Sequence, residues 1–181
     1  MKTHIILLSL LITYTVNAQK YLTKSGTTSF KASVEAFEPV EAINKSTTAV
    51  LNTNNGQIAA LIFIKAFHFE IALMEEHFNE NYMDSDEFPK ATFNGEIKNF
   101  DFSKLSSQPK TYELSGHLTI KNIKKPILTT IELSKEENTI LMTCEFIVKP
   151  QDFDIEIPKL IREKIAKTIQ IETEYAFKPK N

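Results

Sequence analysis

Apolar and polar residues alternate at every second position along much of this chain, and this pattern constrains the fold most. The clearest stretch runs from Thr168 to Lys178. Because successive side chains of a β-strand point to opposite faces, the pattern predicts a strand with one buried face and one face in water. The predicted buried face comprises Ile169, Ile171, Thr173, Tyr175 and Phe177.

Further candidate strands follow one another with little helix between them. Asn55-Gly56 predicts a tight hairpin, because both residue types tolerate positive φ. The Ile58–Ile64 run is apolar throughout, so we expect its outer face to be covered as well. About eight sequential strands predict one all-β domain, an antiparallel closed barrel, with a β-sandwich as the alternative. The remaining predicted strands are Thr28–Val34, Thr47–Asn52, Gln57–Phe67, Ala91–Ile97, Thr111–Lys121, Ile127–Leu133 and Thr139–Val148.

Two short helices are predicted among these strands. From Ile71 to Tyr82, apolar residues recur at steps of three and four, so they share one helical face. That face comprises Ile71, Met74, Phe78 and Tyr82, and Leu73 and His77 are predicted to widen it. The opposite, solvent-exposed face carries Glu75, Glu76 and Glu80. Pro158 predicts the start of a second helix, whose apolar side is Leu160, Ile161 and Ile165. Between them, Asn122–Pro126 is predicted to turn the chain.

The first 18 residues have the pattern of a signal peptide. Lys2 precedes an apolar run from Ile5 to Tyr14, and Val16-Asn17-Ala18 suits a signal peptidase, so we expect cleavage near Ala18. A membrane anchor is the alternative, but the run is shorter than the about 20 apolar residues that span a bilayer. Residues 19–181 are therefore predicted to form one soluble, exported domain, periplasmic or secreted, without stable membrane insertion.

Composition and motifs argue against several classes of function. The net charge of −2 does not fit a nucleic-acid-binding surface. Cys144 is the single cysteine, so no disulfide can form within the chain, and its apolar strand predicts a buried, inert thiol. His68 and His117 are predicted to point outward from strands, and His77 to be packed and hydrogen-bonded. No zinc-protease or calcium-loop pattern is present, so we expect neither metal nor cofactor.

Catalysis has little support in the sequence. No nucleophile elbow, phosphate-binding loop or Ser-x-x-Lys motif is present. His77 and Tyr82 are the polar groups that could serve a lipid-processing enzyme, and the sequence offers no partner for either of them. We therefore expect a protein that is not an enzyme.

Three segments of the chain resemble the YceI-like family of secreted, lipocalin-like barrels. Phe67–Ile97 carries the most specific pattern, including His77-Phe78, Phe88-Pro89 and Gly95. Gly116–Ile127, with Leu118-Thr119-Ile120 and Lys125-Pro126, is similar to a second signature of the family, and Phe146–Ile157 to a third. The resemblance runs from about Gln57 to the C-terminus, whereas Tyr21–Phe30 keeps only the outline of the family's opening strand.

This resemblance implies an eight-stranded antiparallel barrel with a helix closing one end. It also implies a long apolar tunnel that holds a polyisoprenoid or fatty-acyl chain, and it does not imply catalysis. A filled barrel that serves as an envelope interaction module is the alternative, and homodimer formation is left open. The inward-facing residues that could contact a lipid are Phe67, Phe69, Met74, Phe78, Phe93, Ile97, Leu114, Leu118, Met142, Phe146, Ile171 and Tyr175.

The helix is further predicted to act as a lid. Met74 and Phe78 lie one turn apart, so both should plug the same end of the barrel. An adaptable Met beside a bulky Phe suits a closure that repacks around a chain. Phe78→Ala is therefore expected to change lipid exchange, whereas Leu118→Ala on a central strand should chiefly lower stability.

Overall fold

Eight antiparallel strands close into a barrel in sequence order, with β8 pairing back onto β1. The computed structural model describes residues 20–34 and 36–180, so the predicted signal peptide and its cleavage site lie outside the described residues. Because the sheet closes on itself, the predicted barrel is confirmed and the alternative β-sandwich is excluded. The strands are β1 Lys20–Ser33, β2 Glu41–Asn52, β3 Gln57–Phe63, β4 Lys90–Ile97, β5 Lys110–Ile120, β6 Ile123–Glu136, β7 Thr139–Val148 and β8 Ile165–Pro179.

The predicted helix is present between β3 and β4. An α-helix spans Ala72–His77 and continues as a π-helical turn over Phe78–Tyr82, and we call residues 72–82 the mouth helix. Three short 3₁₀ turns cover Ile64–Ala66, Phe102–Lys104 and Pro150–Phe153. Within the described part of the chain, no helix has the length and apolarity needed to cross a membrane.

The apolar stripe of the mouth helix is narrower than predicted. Ile71, Met74, Phe78 and Tyr82 are all half-buried, as expected. Leu73 is 57% exposed and His77 is also exposed, so the predictions that they widen the stripe and that His77 is packed are wrong. The physical reason is that a helix resting on the barrel rim buries one line of side chains, not a broad face.

The outer face of β3 is not covered, contrary to the prediction. Ile58, Ala60 and Ile62 point inward and are buried, whereas Ala59 is exposed and Phe63 is 50% exposed. The wall of the barrel is a single sheet with water outside, so an apolar run along one strand need not have two buried faces.

One predicted turn and one predicted helix differ from the structure. The turn predicted at Asn122–Pro126 is shorter and begins one residue earlier. It consists of Lys121 and Asn122, which have φ values of 47° and 61°, and β6 begins at Ile123. The helix predicted from Pro158 does not form. Residues 159–164 make turns and Leu160 is 92% exposed. Ile165 pairs with Ser33 of β1, so strand pairing replaces the helical contact expected of it.

The two ends of the barrel differ in how they are filled. The first end holds the β2–β3, β4–β5 and β6–β7 connections, and the second end holds the mouth helix and the other connections. Phe102 of the β4–β5 connection packs on Tyr21 with ring centroids 5.7 Å apart, and Phe100 packs near Tyr112. The first end is thus a solid core, whose most deeply buried residues are Leu51, Ile97, Ile131, Leu133, Ile140 and Phe177.

Candidate ligand cavity

The half of the barrel toward the second end encloses a cavity of about 440 Å³. This volume lies within the range of about 300–1,000 Å³ that is usual for small-molecule sites. Its lining extends to the second end of the barrel. At or near that end, five strands contribute Ala32, Ile62, Ala91, Ile120 and Val148. Lining residues at that end, such as Phe37 with 41% exposure, are open to solvent, so the cavity has its mouth there.

Most of the residues predicted from the sequence come together around this cavity. The lining includes Phe67, Phe69, Met74, Phe78, Phe93, Leu114, Leu118, Met142, Phe146, Ile171 and Tyr175. Ile97 does not line it, because this last residue of β4 points into the solid core of the first end and is only 1% exposed. That the lining residues contact a ligand stays a prediction.

Four phenylalanines join the mouth helix to the barrel. The Phe78 ring lies 5.3 Å from the Phe30 ring, 5.8 Å from Phe67 and 5.2 Å from Phe69, measured between ring centroids. Phe30 comes from β1, and Phe67 and Phe69 from the segment that leads into the helix. All four rings line the cavity, so the helix rests on an apolar platform that is also a wall of the cavity.

Polar contacts hold both ends of the mouth helix. At its C-terminal end, the Lys121 ammonium donates to the Asp84 carboxylate at 2.5 Å and to the Tyr82 carbonyl at 3.3 Å. Near its N-terminal end, the Glu75 carboxylate accepts from the Phe69 N–H at 3.1 Å. The helix is therefore tied to the β5–β6 turn and to its own leading segment.

Part of the lining was not predicted from the sequence. The β7–β8 connection supplies Phe153, Ile155, Ile157 and Ile161, and the β1–β2 connection supplies Phe37 and Val40. Ile155 and Ile157 alternate with Asp154 and Glu156, and this alternation could have been recognised as an inward-facing stretch. Across the mouth, the Lys164 ammonium lies 5.9 Å from the centre of the Phe37 ring.

The inner end of the cavity carries hydroxyl groups. Thr28 of β1, Thr173 of β8 and Cys144 of β7 form a row across three paired strands, and all three side chains line the cavity. We call this row, together with Tyr175, the floor. The Tyr175 phenol is 3.1 Å from Thr28 Oγ1, which is 2.8 Å from Thr47 Oγ1. Burial raises the pKa of Tyr175 to about 12, against the opposing effect of the nearby threonine hydroxyls, so the phenol is neutral.

The Cys144 thiol is also neutral at physiological pH. Burial raises its pKa to about 11, although the Thr129 hydroxyl favours the thiolate. A protonated thiol is a weak nucleophile, so Cys144 serves as an apolar lining residue, in agreement with the predicted inert thiol.

The charged side chains that line the cavity lie at its mouth. Glu38, His77 and Lys164 are lining residues with exposed side chains. Tyr82 is half-buried there, and burial raises the pKa of its phenol. His68 and His117 are exposed on the outside, as predicted. Among residues 20–34 and 36–180, no three His, Cys, Asp or Glu side chains are grouped as metal ligands.

Comparison with known proteins identifies relatives of this barrel. The sequence matches the model of a family described as YceI-like domain over residues 14–177, so the resemblance extends well before Gln57 and includes β1 and β2. No curated protein matches the chain significantly.

Solved structures with the same fold share little sequence with this chain. A polyisoprenoid binding domain from Saccharophagus degradans, implicated in plant cell wall breakdown, is 13% identical with a TM-score of 0.77, covering 90% of this chain and 99% of that one. BcnA from Burkholderia cenocepacia is 16% identical with a TM-score of 0.68, covering 83% and 95%. The YCEI protein of Campylobacter jejuni is 17% identical with a TM-score of 0.64, covering 80% and 88%. At such identities the likeness concerns the fold alone.

Proposed function

The chain belongs to the YceI-like family, and on that premise we propose that it is an exported protein that binds a long-chain lipid, an isoprenoid or a fatty-acyl chain, in its barrel cavity. The observation that carries the proposal is the cavity of about 440 Å³, whose inner lining is apolar apart from neutral hydroxyl and thiol groups. A solid barrel would have no such space, so the cavity favours ligand binding over the interaction module.

The energetics of the cavity suit a hydrocarbon chain. Each buried CH₂ group contributes roughly 0.8 kcal/mol, so about ten carbons contribute about 8 kcal/mol before ordering costs are subtracted. A micromolar dissociation constant corresponds to about 8.2 kcal/mol, so a longer chain or a few polar contacts can offset those costs. The S. degradans neighbour is described as a polyisoprenoid binding domain, and this description is consistent with the proposed ligand class.

The proposed function is binding without catalysis. His77 and Tyr82, the two polar groups considered for an enzyme, lie at the mouth and not at the inner end where a buried chain would stop. We expect His77→Ala to leave lipid binding unchanged, because an exposed side chain at the rim contributes little to the burial of a chain.

Native mass spectrometry of the purified protein, together with organic extraction, is the direct test of lipid binding. We expect a bound species of lipid mass that extraction removes, and displacement of a fluorescent apolar probe by long-chain lipids. The same spectrum reports whether the protein is a monomer or a homodimer. Absence of any bound lipid, combined with no binding of long-chain probes, would contradict the proposal and favour an interaction module.

A pair of neighbouring alanines supplies a matched control. Ala60 points into the cavity and Ala59 points into solvent on the same strand. Ala60→Phe should fill part of the cavity and weaken binding of long-chain probes, whereas Ala59→Phe should leave binding unchanged. Thermal melting of both variants shows whether each remains folded. Equal binding by the two folded variants would place the lipid outside the barrel.

Export is the second part of the proposal, and it is supported by residues 1–18. Their charged start, apolar run and small residues before Gln19 are the pattern that signal peptidase recognises. N-terminal sequencing of the protein from its native cells should begin near Gln19. A protein that retains Met1 and remains in the cytoplasm would contradict this part alone.

A further inference from the structure

One buried hydroxyl on the cavity floor has no hydrogen-bond partner among the described residues. Thr173 is 7% exposed, its side chain lines the cavity, and no group of residues 20–34 and 36–180 has hydrogen-bond geometry to its Oγ1. The hydroxyl nevertheless lies near the Tyr175 phenol and lowers the pKa of that group. Its neighbours across the strands are Thr28 on one side and Cys144 on the other. A buried hydroxyl without a partner is costly, so a group that hydrogen-bonds to it would be stabilised.

The neighbouring hydroxyls offer a second unused donor. Tyr175, Thr28 and Thr47 form a chain of three hydroxyls joined by two hydrogen bonds. Three hydroxyls carry three protons and two bonds use two of them, so one of the three hydroxyls keeps an O–H that neither bond uses. Thr47 is not a lining residue, whereas Tyr175 is, so the phenol can direct its proton into the cavity.

The floor carries no charge that could hold an ionic group. The Tyr175 phenol and the Cys144 thiol are both neutral, and the charged lining residues Glu38 and Lys164 lie in the connections at the mouth. Thr28 lies five residues before the end of β1, which is roughly 16 Å along a strand. An unpaired phosphate or carboxylate at this depth would lose its hydration without compensation.

We propose that the floor binds an uncharged hydrogen-bonding group, a carbonyl or hydroxyl oxygen, at the end of the lipid that enters the barrel first. Thr173 and Tyr175 donate to this oxygen, while the hydrocarbon chain extends toward the mouth helix. A charged headgroup, where the lipid has one, remains at the mouth. This inference rests on the proposed lipid-binding function and narrows its ligand class.

Matched probes of one chain length test the inference. Hexadecane, methyl tetradecyl ketone and palmitate each have sixteen carbons, and they carry respectively no polar group, a neutral carbonyl and a charged carboxylate. Their affinities are measured by displacement of bound N-phenylnaphthylamine. Thr173→Val replaces the hydroxyl by a methyl group of similar size, Thr173→Ser restores a hydroxyl, and Thr143→Val makes the same replacement on the exposed face of β7.

The expected result is specific to one probe. Thr173→Val should weaken binding of the ketone by about threefold to tenfold, the worth of one hydrogen bond, and leave hexadecane and palmitate unchanged. Thr173→Ser should keep the affinity of the wild-type protein for the ketone, and Thr143→Val should change nothing. Tyr175→Phe should weaken binding of the ketone as much as Thr173→Val does. Thermal melting checks that this variant is folded.

Other outcomes would overturn the inference in distinguishable ways. If Thr173→Val changes the affinities for the ketone and for hexadecane equally, or changes neither affinity, the floor does not recognise a polar group. The cavity would still bind hydrocarbon chains. If palmitate loses as much affinity as the ketone, the restriction to uncharged groups is wrong. If the wild-type protein binds none of the three probes, both the inference and the proposed function fail.

Discussion

Gly95 and Gly116 face each other across the β4–β5 pair, and a phenylalanine ring occupies the space that their side chains would fill. A Cβ on Gly116 would lie 2.6 Å from Phe93 Cζ and 2.5 Å from the Asn94 carbonyl oxygen. A Cβ on Gly95 would lie 2.7 Å from the same ring. Since Phe93 lines the cavity, the glycine pair sets the shape of one wall.

Gly116→Ala should therefore destabilise the barrel. The new methyl group meets both backbone and ring atoms, and overpacking of this kind costs about 1–3 kcal/mol. Urea unfolding measures the loss, and Ser115→Ala, an exposed neighbour on the same strand, should stay within about 0.5 kcal/mol of the wild-type protein. Equal stability of the two variants would show that the wall relaxes around the methyl group.

The Cys144 thiol predicts a pH dependence of stability. Its ordinary pKa of 9.0 applies to the unfolded chain, whereas burial raises the folded pKa to about 11. Between these values the unfolded state loses the proton first and binds fewer protons, so stability is full below pH 9 and falls as the pH rises toward 11. A tenfold difference in proton affinity between the folded and unfolded states corresponds to about 1.4 kcal/mol of stability.

Cys144→Ala isolates this contribution from the lysines and tyrosines that titrate in the same range. The free energy of unfolding of the variant should fall less steeply between pH 9 and 11 than that of the wild-type protein. Identical slopes for the two proteins would mean that the thiol ionises as readily in the folded state as in the unfolded one.

The mouth helix lies at the opening of the cavity, and we expect access to the cavity to depend on it. Its middle rests on the platform of Phe30, Phe67 and Phe69 through Phe78, and Lys121 holds its C-terminal end. Helix and platform lie at the second end, away from the solid core of the first end. Loosening the helix should thus affect ligand exchange more than global stability.

Phe78→Ala is the direct test of the helix as a lid. Phe78 is half-buried, so its truncation should cost less than the about 3–5 kcal/mol typical of a fully buried Phe. The off-rate of a bound fluorescent lipid should change markedly. Leu118 lines the cavity itself and is a poor control, whereas Leu133 lies in the solid core. Leu133→Ala should lower the melting temperature and leave the lipid off-rate unchanged. If Phe78→Ala also lowers the melting temperature without changing the off-rate, the helix does not act as a lid.

Lys121→Met tests the polar attachment of the same helix. The substitution keeps the apolar stem and removes the ammonium that contacts Asp84 and the Tyr82 carbonyl. We expect lipid exchange to become about threefold to tenfold faster, the equivalent of roughly 1 kcal/mol. Lys98→Met breaks an exposed ion pair with Glu113 at the first end and should leave exchange unchanged. Equal rates for the two variants would show that Lys121 does not restrain the helix.

At the scale of the whole molecule, the barrel divides into a solid half and a hollow half. The solid half stabilises the fold, and the hollow half leaves space that a ligand can fill. Ligand binding should thus slow amide hydrogen exchange mainly in the mouth helix and in residues 36–40 and 149–164, which surround the mouth. Mass spectrometry of exchanged peptides measures this, with Thr139–Met142 at the first end as the internal reference. Uniform protection of the barrel would contradict the division.

The amino-acid sequence by itself determined where each of the eight strands lies and which side of most strands faces inward. It did not determine all their bounds, because β1 and β2 begin at Lys20 and Glu41, before the predicted Thr28 and Thr47, and β3 ends at Phe63 and not at Phe67. The β7 bounds, the hairpin after Asn52 and the inward faces of β5, β7 and β8 all follow from period-two alternation and turn chemistry. The single amphipathic helix follows in the same way from its periodicity. These properties are local, because each depends on residues within a few positions of one another.

Tertiary structure alone decided how deep each inward residue lies and what covers each face. Alternation gives the side of a strand but not the position along the barrel axis, so Ile97 and Met142 look alike in sequence although one lies in solid core and the other lines the cavity. The pairing of Ile165 with Ser33, the exposure of the outer face of β3 and the position of the Thr173 hydroxyl on the cavity floor arise from contacts between distant segments. Closure of β8 on β1 brings those segments together, and no local pattern encodes it.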